Sequence, residues 1–371
     1  MTEDLFTTMS TAIQNGSGKQ SSFVPAPVLV SVVIPAYRCA QYIAETLNSV
    51  LAQTFAGYEI IVINDGSPDT DALEQALAPF LPKIRYLRQP NGGPSAARNR
   101  GIREARSKYI AFLDSDDIWM PGHLAKQVEL LESDPSLSLV YANSLYLQED
   151  APVGTSFQQT PQDLHVTFET LVAERCTIGT STVVASRQAL LDAGAFEDRR
   201  RRSEDFDLWL RMAHRGAGMS YSHAVQVHHR AGNGLAFDDN VMKQAQIDVY
   251  EKVLLTLPIT GPQAELLCGK TQELQARLHL ETARQALREG RFSEAEAAAR
   301  QAASFLKSTK LHILLAGLRF SPNLLRSAYR AYEQFLERRR SRRLVRFRRT
   351  LSSAAGASGY KATVGDIENR L

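Results

Sequence analysis

Sulfur is scarce: Cys39, Cys176 and Cys268 are the only three cysteines in 371 residues. An odd count at such wide spacing excludes a CxxC-type zinc or redox site and reads as reduced thiols in a cytosolic protein. Long apolar runs are missing too. A spanning helix needs about 18 apolar residues or more, and "LHILLAGL" (311–318) stops at eight. Any membrane contact is therefore expected to be peripheral. Charge of one sign is also lacking, since 43 Lys and Arg against 40 Asp and Glu leave a net +3. That balance implies no nucleic-acid partner. The N-terminal stretch 1–28 carries acids at positions 3 and 4 and no apolar core. It argues against a secretory signal and reads as a disordered lead-in. Neither GxxxxGK[ST] nor GxGxxG occurs, so neither a P-loop nor a Rossmann dinucleotide site is indicated.

What is present is a hydrophobic fraction of 44%, enough for a full core, in a regular alternation. Short β-branched runs, "VLVSVVIP" (28–35), "YEIIVIN" (58–64), "IRYLR" (84–88), "YIAFLD" (109–114) and "LSLVYAN" (137–143), are separated by helix-patterned segments. Ile43, Thr46, Leu47, Val50 and Leu51 fall on one helix face. The pattern predicts βαβ units around a mostly parallel sheet, an α/β fold. In such sheets ligands sit beyond the carboxyl ends of strands. The unusual polar loops "PAYR", "NDGS" and "DSDD" all fall at those ends.

"NDGSPD" (64–69) is turn chemistry, expected to expose a carboxylate and backbone N–H groups. "NGGPSAARNRG" (91–101) offers glycines for close backbone approach and then opens a helix bearing Arg98 and Arg100, which suits a phosphate-bearing ligand. In "DSDD" (114–117), carboxylates one residue apart at a strand end either share a pocket whose repulsion a cation relieves or cap the helix starting near Pro121. An all-oxygen site selects Mg2+ or Mn2+. "SEDFDLWLRMAHRG" (203–216) reads as a helix with Ser203 as cap, an apolar stripe through Phe206, Trp209, Leu210 and Ala213, and Glu204 and Asp205 in its first turn. "VQVHHRAGNG" (225–234) alternates like a strand and then presents His228, His229 and Arg230.

Taken in order, these motifs resemble those of inverting family 2 glycosyltransferases of the GT-A fold, over about residues 30 to 235. The resemblance implies that Pro35, Ala36, Tyr37 and Asp65 line the nucleotide-base pocket, with Arg98 and Asn99 against the nucleotide. Gly93 and Ser115 join the same nucleotide-binding set. Asp114 matches the first aspartate of the family's DxD motif, near the ribose, and Asp116 the second, which binds Mg2+ or Mn2+. Asp205 matches the catalytic base, with Glu204 beside it. Two departures stand out. Arg38 replaces a usual asparagine, and Arg230 occupies the spacing at which many relatives carry a metal-binding histidine. Either His229 ligates the metal from one residue away, or Arg230 contacts the diphosphate.

The implied function is transfer of a sugar, with inversion, from a nucleotide diphosphate sugar, a UDP-sugar favoured, to a glycan, lipid-linked or protein acceptor. Polysaccharide, glycolipid or cell-surface glycan synthesis is the setting. The alternative is a sugar-nucleotide-binding or scaffold protein of weak turnover.

A GT-A domain is thus expected over 29–235 and a helical domain over 236–337. In the latter, "ARQALREGRFSEAEAAARQAASFL" (283–306) is either one tetratricopeptide-type unit turning at Gly290 or an ordinary helical hairpin. A basic tail, 338–371, holds eight arginines between 338 and 349. It would suit an anionic membrane surface or remain solvated. The expected location is the cytoplasm, with the inner face of the cell membrane as the surface the tail would meet.

Overall fold

The computed structural model describes residues 28–148, 151–198, 202–230, 239–336 and 338–339. Most of the basic tail, residues 199–201 and the "AGNG" stretch at 231–234 lie outside the described residues. In chain order the elements begin β1 (Val30–Ala36), α1 (Ile43–Leu51), β2 (Tyr58–Asp65), α2 (Thr70–Leu77), β3 (Arg85–Gln89), α3 (Gly93–Glu104), β4 (Tyr109–Phe112) and β5 (Ile118–Trp119). They continue with α4 (His123–Ser133), β6 (Leu137–Gln148), β7 (Ala151–Thr155), α5 (Ser156–Gln159), α6 (Phe168–Val172), β8 (Val184–Ser186), α7 (Arg187–Asp192), α8 (Glu204–His214) and β9 (Gly218–Arg230). Four helices follow, α9 (Asp239–Thr256), α10 (Gly261–Glu289), α11 (Phe292–Phe305) and α12 (Thr309–Phe320), then α13 over 322–336.

Two compact units interleave along the chain. The first takes residues up to 147, 179–195 and 217–229; the second takes 148–178, 196–216 and everything from 230 onward. The sequence reading draws one boundary near residue 235, whereas the chain passes between the units several times before that point.

The first unit is the α/β sheet, ordered β3-β2-β1-β4-β8-β6-β9-β5. Its β3-β2-β1-β4 half is parallel: Val30 of β1 pairs with Tyr58 of β2 and Tyr109 of β4, and Ile61 of β2 with Arg85 of β3. The other half is antiparallel, Tyr109 pairing with Ser186, Leu139 with Ala185 and Ile118 with His228. The inner strands bury both faces and so need continuous β-branched runs. Val30, Val32, Val33 and Ile34 of β1 and Ile61, Val62 and Ile63 of β2 are fully buried. Ile43, Leu47 and Val50 of α1 cover one face. Gly101 lets α3 lie against β1, since a Cβ there would stand 2.3 Å from Val33 Cγ1.

The second unit is mainly helical. Tyr250 of α9 donates from its hydroxyl to the Val172 carbonyl at 3.0 Å and meets the Phe206 ring edge-on, which joins α6, α8 and α9. α10 starts at a capping box of Thr260 and Gln263 and ends at Gly290, whose φ of 83° only glycine adopts without strain. α10 and α11 then pack through Ala283, Ala286, Ala295, Ala298, Ala299 and Ala302. Small side chains let the helix backbones approach closely, at the cost of a thin core. Among the described residues no helix is long and apolar enough to cross a membrane.

Candidate functional site

The carboxyl ends of β1, β2 and β4 place three polar loops in the first unit, and each is fixed by side chains far away in sequence. Asp65 ends β2. Its carboxylate, expected to be exposed at a turn, is instead buried beneath it. Oδ1 accepts from Gln89 Nε2 at 2.7 Å and Gly92 N at 2.9 Å, and Oδ2 accepts from Gly93 N at 2.7 Å. A carboxylate on those amides satisfies the otherwise orphaned N–H groups that open α3 and complements the helix dipole. Gly66, at φ 62°, permits the approach, since a Cβ there would lie 2.6 Å from Asn91 N.

The β1 loop is tied to the β2 loop. Arg38 N donates to Ser67 Oγ at 2.7 Å and Ala40 N to Asp69 Oδ2 at 3.1 Å. Arg38 adopts a left-handed φ of 53°, and its guanidinium lies 5.4 Å from the Tyr37 ring centre. Pro35 and Ala36 close β1, Ala36 buried, while Tyr37 is 44% exposed at the mouth of the loop.

Arg98 and Asn99 are buried on α3. Arg98 Nη2 donates to Asp114 Oδ1 at 2.7 Å, a charge-assisted pair in which only the aspartate is partly exposed. The Asp114 backbone N–H donates to Ser181 Oγ at 3.1 Å, and the Ser115 carbonyl accepts from Thr46 Oγ1 at 2.9 Å. The DSDD loop is thus clamped from both sides. Asp117, to which sequence reasoning gives no role, is completely buried, its Oδ2 2.8 Å from His229 Nδ1. β9 delivers that histidine, which also meets Tyr146 edge-on.

These charges act on each other. Burial, followed by the neighbouring carboxylates Asp117 and Asp114, pushes the Asp116 carboxyl up to about 6. Burial disfavours charge on His229 as well, yet Asp117, then Asp114 and Asp116, outweigh it and raise the imidazole to about 9. Crowded carboxylates with an imidazole are a donor set that a hard divalent cation fits, because the cation relieves the repulsion. Among the described residues no three His, Cys, Asp or Glu side chains are already gathered as a metal-binding group, so ligand oxygens would have to complete such a site.

The other acidic motif, in the second unit, opens α8. Ser203 is not the side-chain cap that the sequence suggests. It sits in the left-handed region, φ 54°, and makes no side-chain capping bond. The Phe206 amide is instead taken by Asp205 Oδ1 at 2.8 Å. Glu204 is buried and Asp205 partly exposed. Asp207, which sequence reasoning missed, is fully buried and accepts from Arg211 Nη2 at 2.8 Å and Lys252 Nζ at 2.8 Å. Its four-residue spacing to Arg211 is a helix ion-pair signal that was there to be read. Trp209 is buried against Phe196.

The fold defines a class. Staphylococcus aureus TarS, residues 1–349 in complex with UDP, superposes with a TM-score of 0.55 at 17% identity over 82% of this chain and 91% of that one. Pyrobaculum calidifontis mannosyltransferase PcManGT, in complex with GDP-Man and Mn2+, gives 0.53 at 20% identity over 83% of each. At such identities the likeness is one of fold, the GT-A type. The glycosyl transferase family 2 model matches residues 31–175. The Escherichia coli UDP-Glc:alpha-D-GlcNAc-diphosphoundecaprenol beta-1,3-glucosyltransferase WfgD is 33% identical over 183 residues, 49% of this chain and 68% of the relative. The chain belongs to glycosyl transferase family 2. It spans about a third of the length of another relative, an uncharacterized glycosyltransferase of Rickettsia conorii, covering 31% of it at 32% identity.

Proposed function

We propose that the chain transfers a sugar from a nucleotide diphosphate sugar, preferably a UDP-sugar, to an acceptor hydroxyl with inversion at the anomeric carbon. The observation that carries this reading is the clamped DSDD loop, where the buried Arg98 orients Asp114 and the buried Asp117 holds His229 beside Asp116. In this reading the β1 loop (Pro35, Ala36, Tyr37) and the Asp65 turn with Gly93 form the base pocket. Arg98, Asn99, Asp114 and Ser115 hold the ribose and phosphates. Asp116 and His229 would hold Mg2+ or Mn2+, with Nδ1 of His229 donating to Asp117 and Nε2 left to ligate. Arg230, the next residue on β9, would contact the diphosphate. When bound, the cation supplies Lewis-acid stabilisation of the leaving diphosphate.

Asp205 takes the proton from the acceptor hydroxyl as its oxygen bonds to the anomeric carbon. The bond from that carbon to the diphosphate breaks, and its electron pair leaves with the nucleotide. Glu204, buried beside Asp205, supports the start of α8.

A UDP-sugar donor and a lipid-linked acceptor are favoured by the named activities of WfgD and of E. coli WfaP, a second UDP-Glc:alpha-D-GlcNAc-diphosphoundecaprenol glucosyltransferase, 28% identical over 240 residues. The cation is favoured by the Mn2+ in PcManGT. The test is nucleotide release from a panel of UDP-, GDP- and dTDP-sugars with Mn2+, with and without a polyprenyl-diphosphate-linked sugar. Release from one UDP-sugar, enhanced by the acceptor and abolished by chelator, is expected. No release from any donor, with UDP still bound, would leave a binding protein instead of an enzyme.

A further inference from the structure

α13 has its two faces the wrong way round for a helix ending in water. Its inward face is mostly polar: Arg326 Nε and Arg330 Nη2 both donate to the Arg288 carbonyl, at 3.0 and 2.8 Å, and Glu333 pairs with the Arg288 guanidinium at 2.7 Å. Leu325 and Tyr329 complete it against the alanine-rich core. These contacts fix the rotation of the helix. The opposite stripe then carries Leu324, Ala328, Ala331, Tyr332 and Phe335, spaced four, three, one and three residues apart along one helix face. All are exposed, with Leu324 71%, Tyr332 54% and Phe335 57% open to solvent. Among the described residues, nothing in the second unit covers this stripe.

The chain beyond α13 is cationic. Arg338 and Arg339 are exposed and stand three and four residues beyond Phe335, the spacing of one helix face. Eight arginines fall between 338 and 349, and no acid occurs between Glu337 and Asp366. With a whole-chain net charge of only +3, everything outside this stretch sums to a negative charge. The arginine run is thus attracted to an anionic surface that repels the remainder of the chain. An apolar stripe continued by arginines matches a helix lying in the plane of a bilayer, with apolar side chains among the acyl chains and guanidinium groups at the phosphates. Two copies pairing through this stripe would bring two arginine runs together, and a nucleic acid would leave the aliphatic and aromatic groups without a partner.

We infer that the outer face of α13, through Leu324, Tyr332 and Phe335, is a docking surface for an anionic phospholipid bilayer, with the arginines C-terminal to it as its electrostatic complement. The inference does not depend on the sugar chemistry. It is tested on the full chain by co-sedimentation with vesicles of phosphatidylcholine alone and of phosphatidylcholine with about 30% phosphatidylglycerol, a composition that presents the negative surface potential such a basic segment responds to. Binding to the anionic vesicles only, weakened by salt, is expected. The double variant Leu324→Ser/Phe335→Ser should bind about tenfold or more weakly, with unchanged circular dichroism and unchanged donor turnover in solution. Leu324→Trp gives a direct readout, since quenching of its emission by brominated lipid requires insertion. Equal binding by the double variant, or no quenching, would overturn the inference. So would light scattering that shows a dimer dissolved by the double variant without vesicle binding, or binding to RNA that the double variant leaves intact.

Discussion

Each unit has an acidic cluster, and the two solve the same problem with different means. In the DSDD loop the last acid, Asp117, is buried on a histidine from a distant strand. At the start of α8 the last acid, Asp207, is buried on an arginine one helical turn away and a lysine from α9. In both, the last acid is fixed by a partner while the acids before it have their own contacts, Asp114 with Arg98 and Asp205 with the Phe206 amide. The difference lies in charge. The α8 anchor carries two cations on one carboxylate. The loop sets three carboxylates beside one imidazole and one arginine, and burial, followed by the carboxylates Asp117 and Asp114, pushes Asp116 up to about 6. Asp207 is paired directly with both of its cations, whereas Asp116 is crowded by Asp117 and Asp114, which is why the proposed cation is assigned to the loop.

The largest expected effect separates roles within the α8 cluster. Asp205→Asn should lose about 10²- to 10⁴-fold in turnover, the usual contribution of a positioned base, with UDP affinity by calorimetry unchanged. Unchanged turnover would remove the base from this helix. Asp207→Ala removes the carboxylate that Arg211 and Lys252 share, while Lys252 keeps Glu197 at 2.7 Å, and should cost about 1–3 kcal/mol in urea unfolding, the loss of charge-assisted hydrogen bonds. A cost near zero would mean that α8 needs no anchor.

Asp117→Asn tests the other anchor. Mn2+ affinity in the presence of UDP should fall about 10- to 100-fold, as when a carboxylate behind a metal-bound histidine is lost. An equal loss of UDP affinity measured without metal would instead make Asp117 a support of the whole pocket. The last test, the smallest per pH unit, concerns a buried titratable group with no anchor. His123 is fully buried beside Trp119 with neither ring nitrogen bonded, and burial lowers it from 6.5 to about 3. The unfolded chain binds a proton that the folded one refuses. Stability is therefore complete above 6.5 and falls as pH drops toward 3, by about 1.4 kcal/mol per pH unit. The acid slope of His123→Leu should be shallower by that amount.

The sheet was legible because buried strands require uninterrupted β-branched runs, and each strand so marked is present. β5, β7 and β8 escaped because two to five residues, such as "VAS" of β8, carry no usable period. The motif loops were legible as positions, since turn residues after an apolar run can only lie at a strand end. Their internal bonding was not. Asp65 reads as a turn carboxylate, yet its partners are amides 27 and 28 residues later. The interleaving of the units was invisible for the same reason, as the pairing of Tyr250 with Val172 across 78 residues leaves no local signal.

That Asp117 waits for His229, 112 residues further along, has a consequence for synthesis. β9 lies between β6 and β5 in the sheet, so β5 has no antiparallel neighbour until residue 230 has left the ribosome. Until then the three aspartates share a loop whose imidazole has not been made. In chain order β1 to β4 are complete by residue 112, whereas the Asp117–His229 pair can form only once residue 229 has been made.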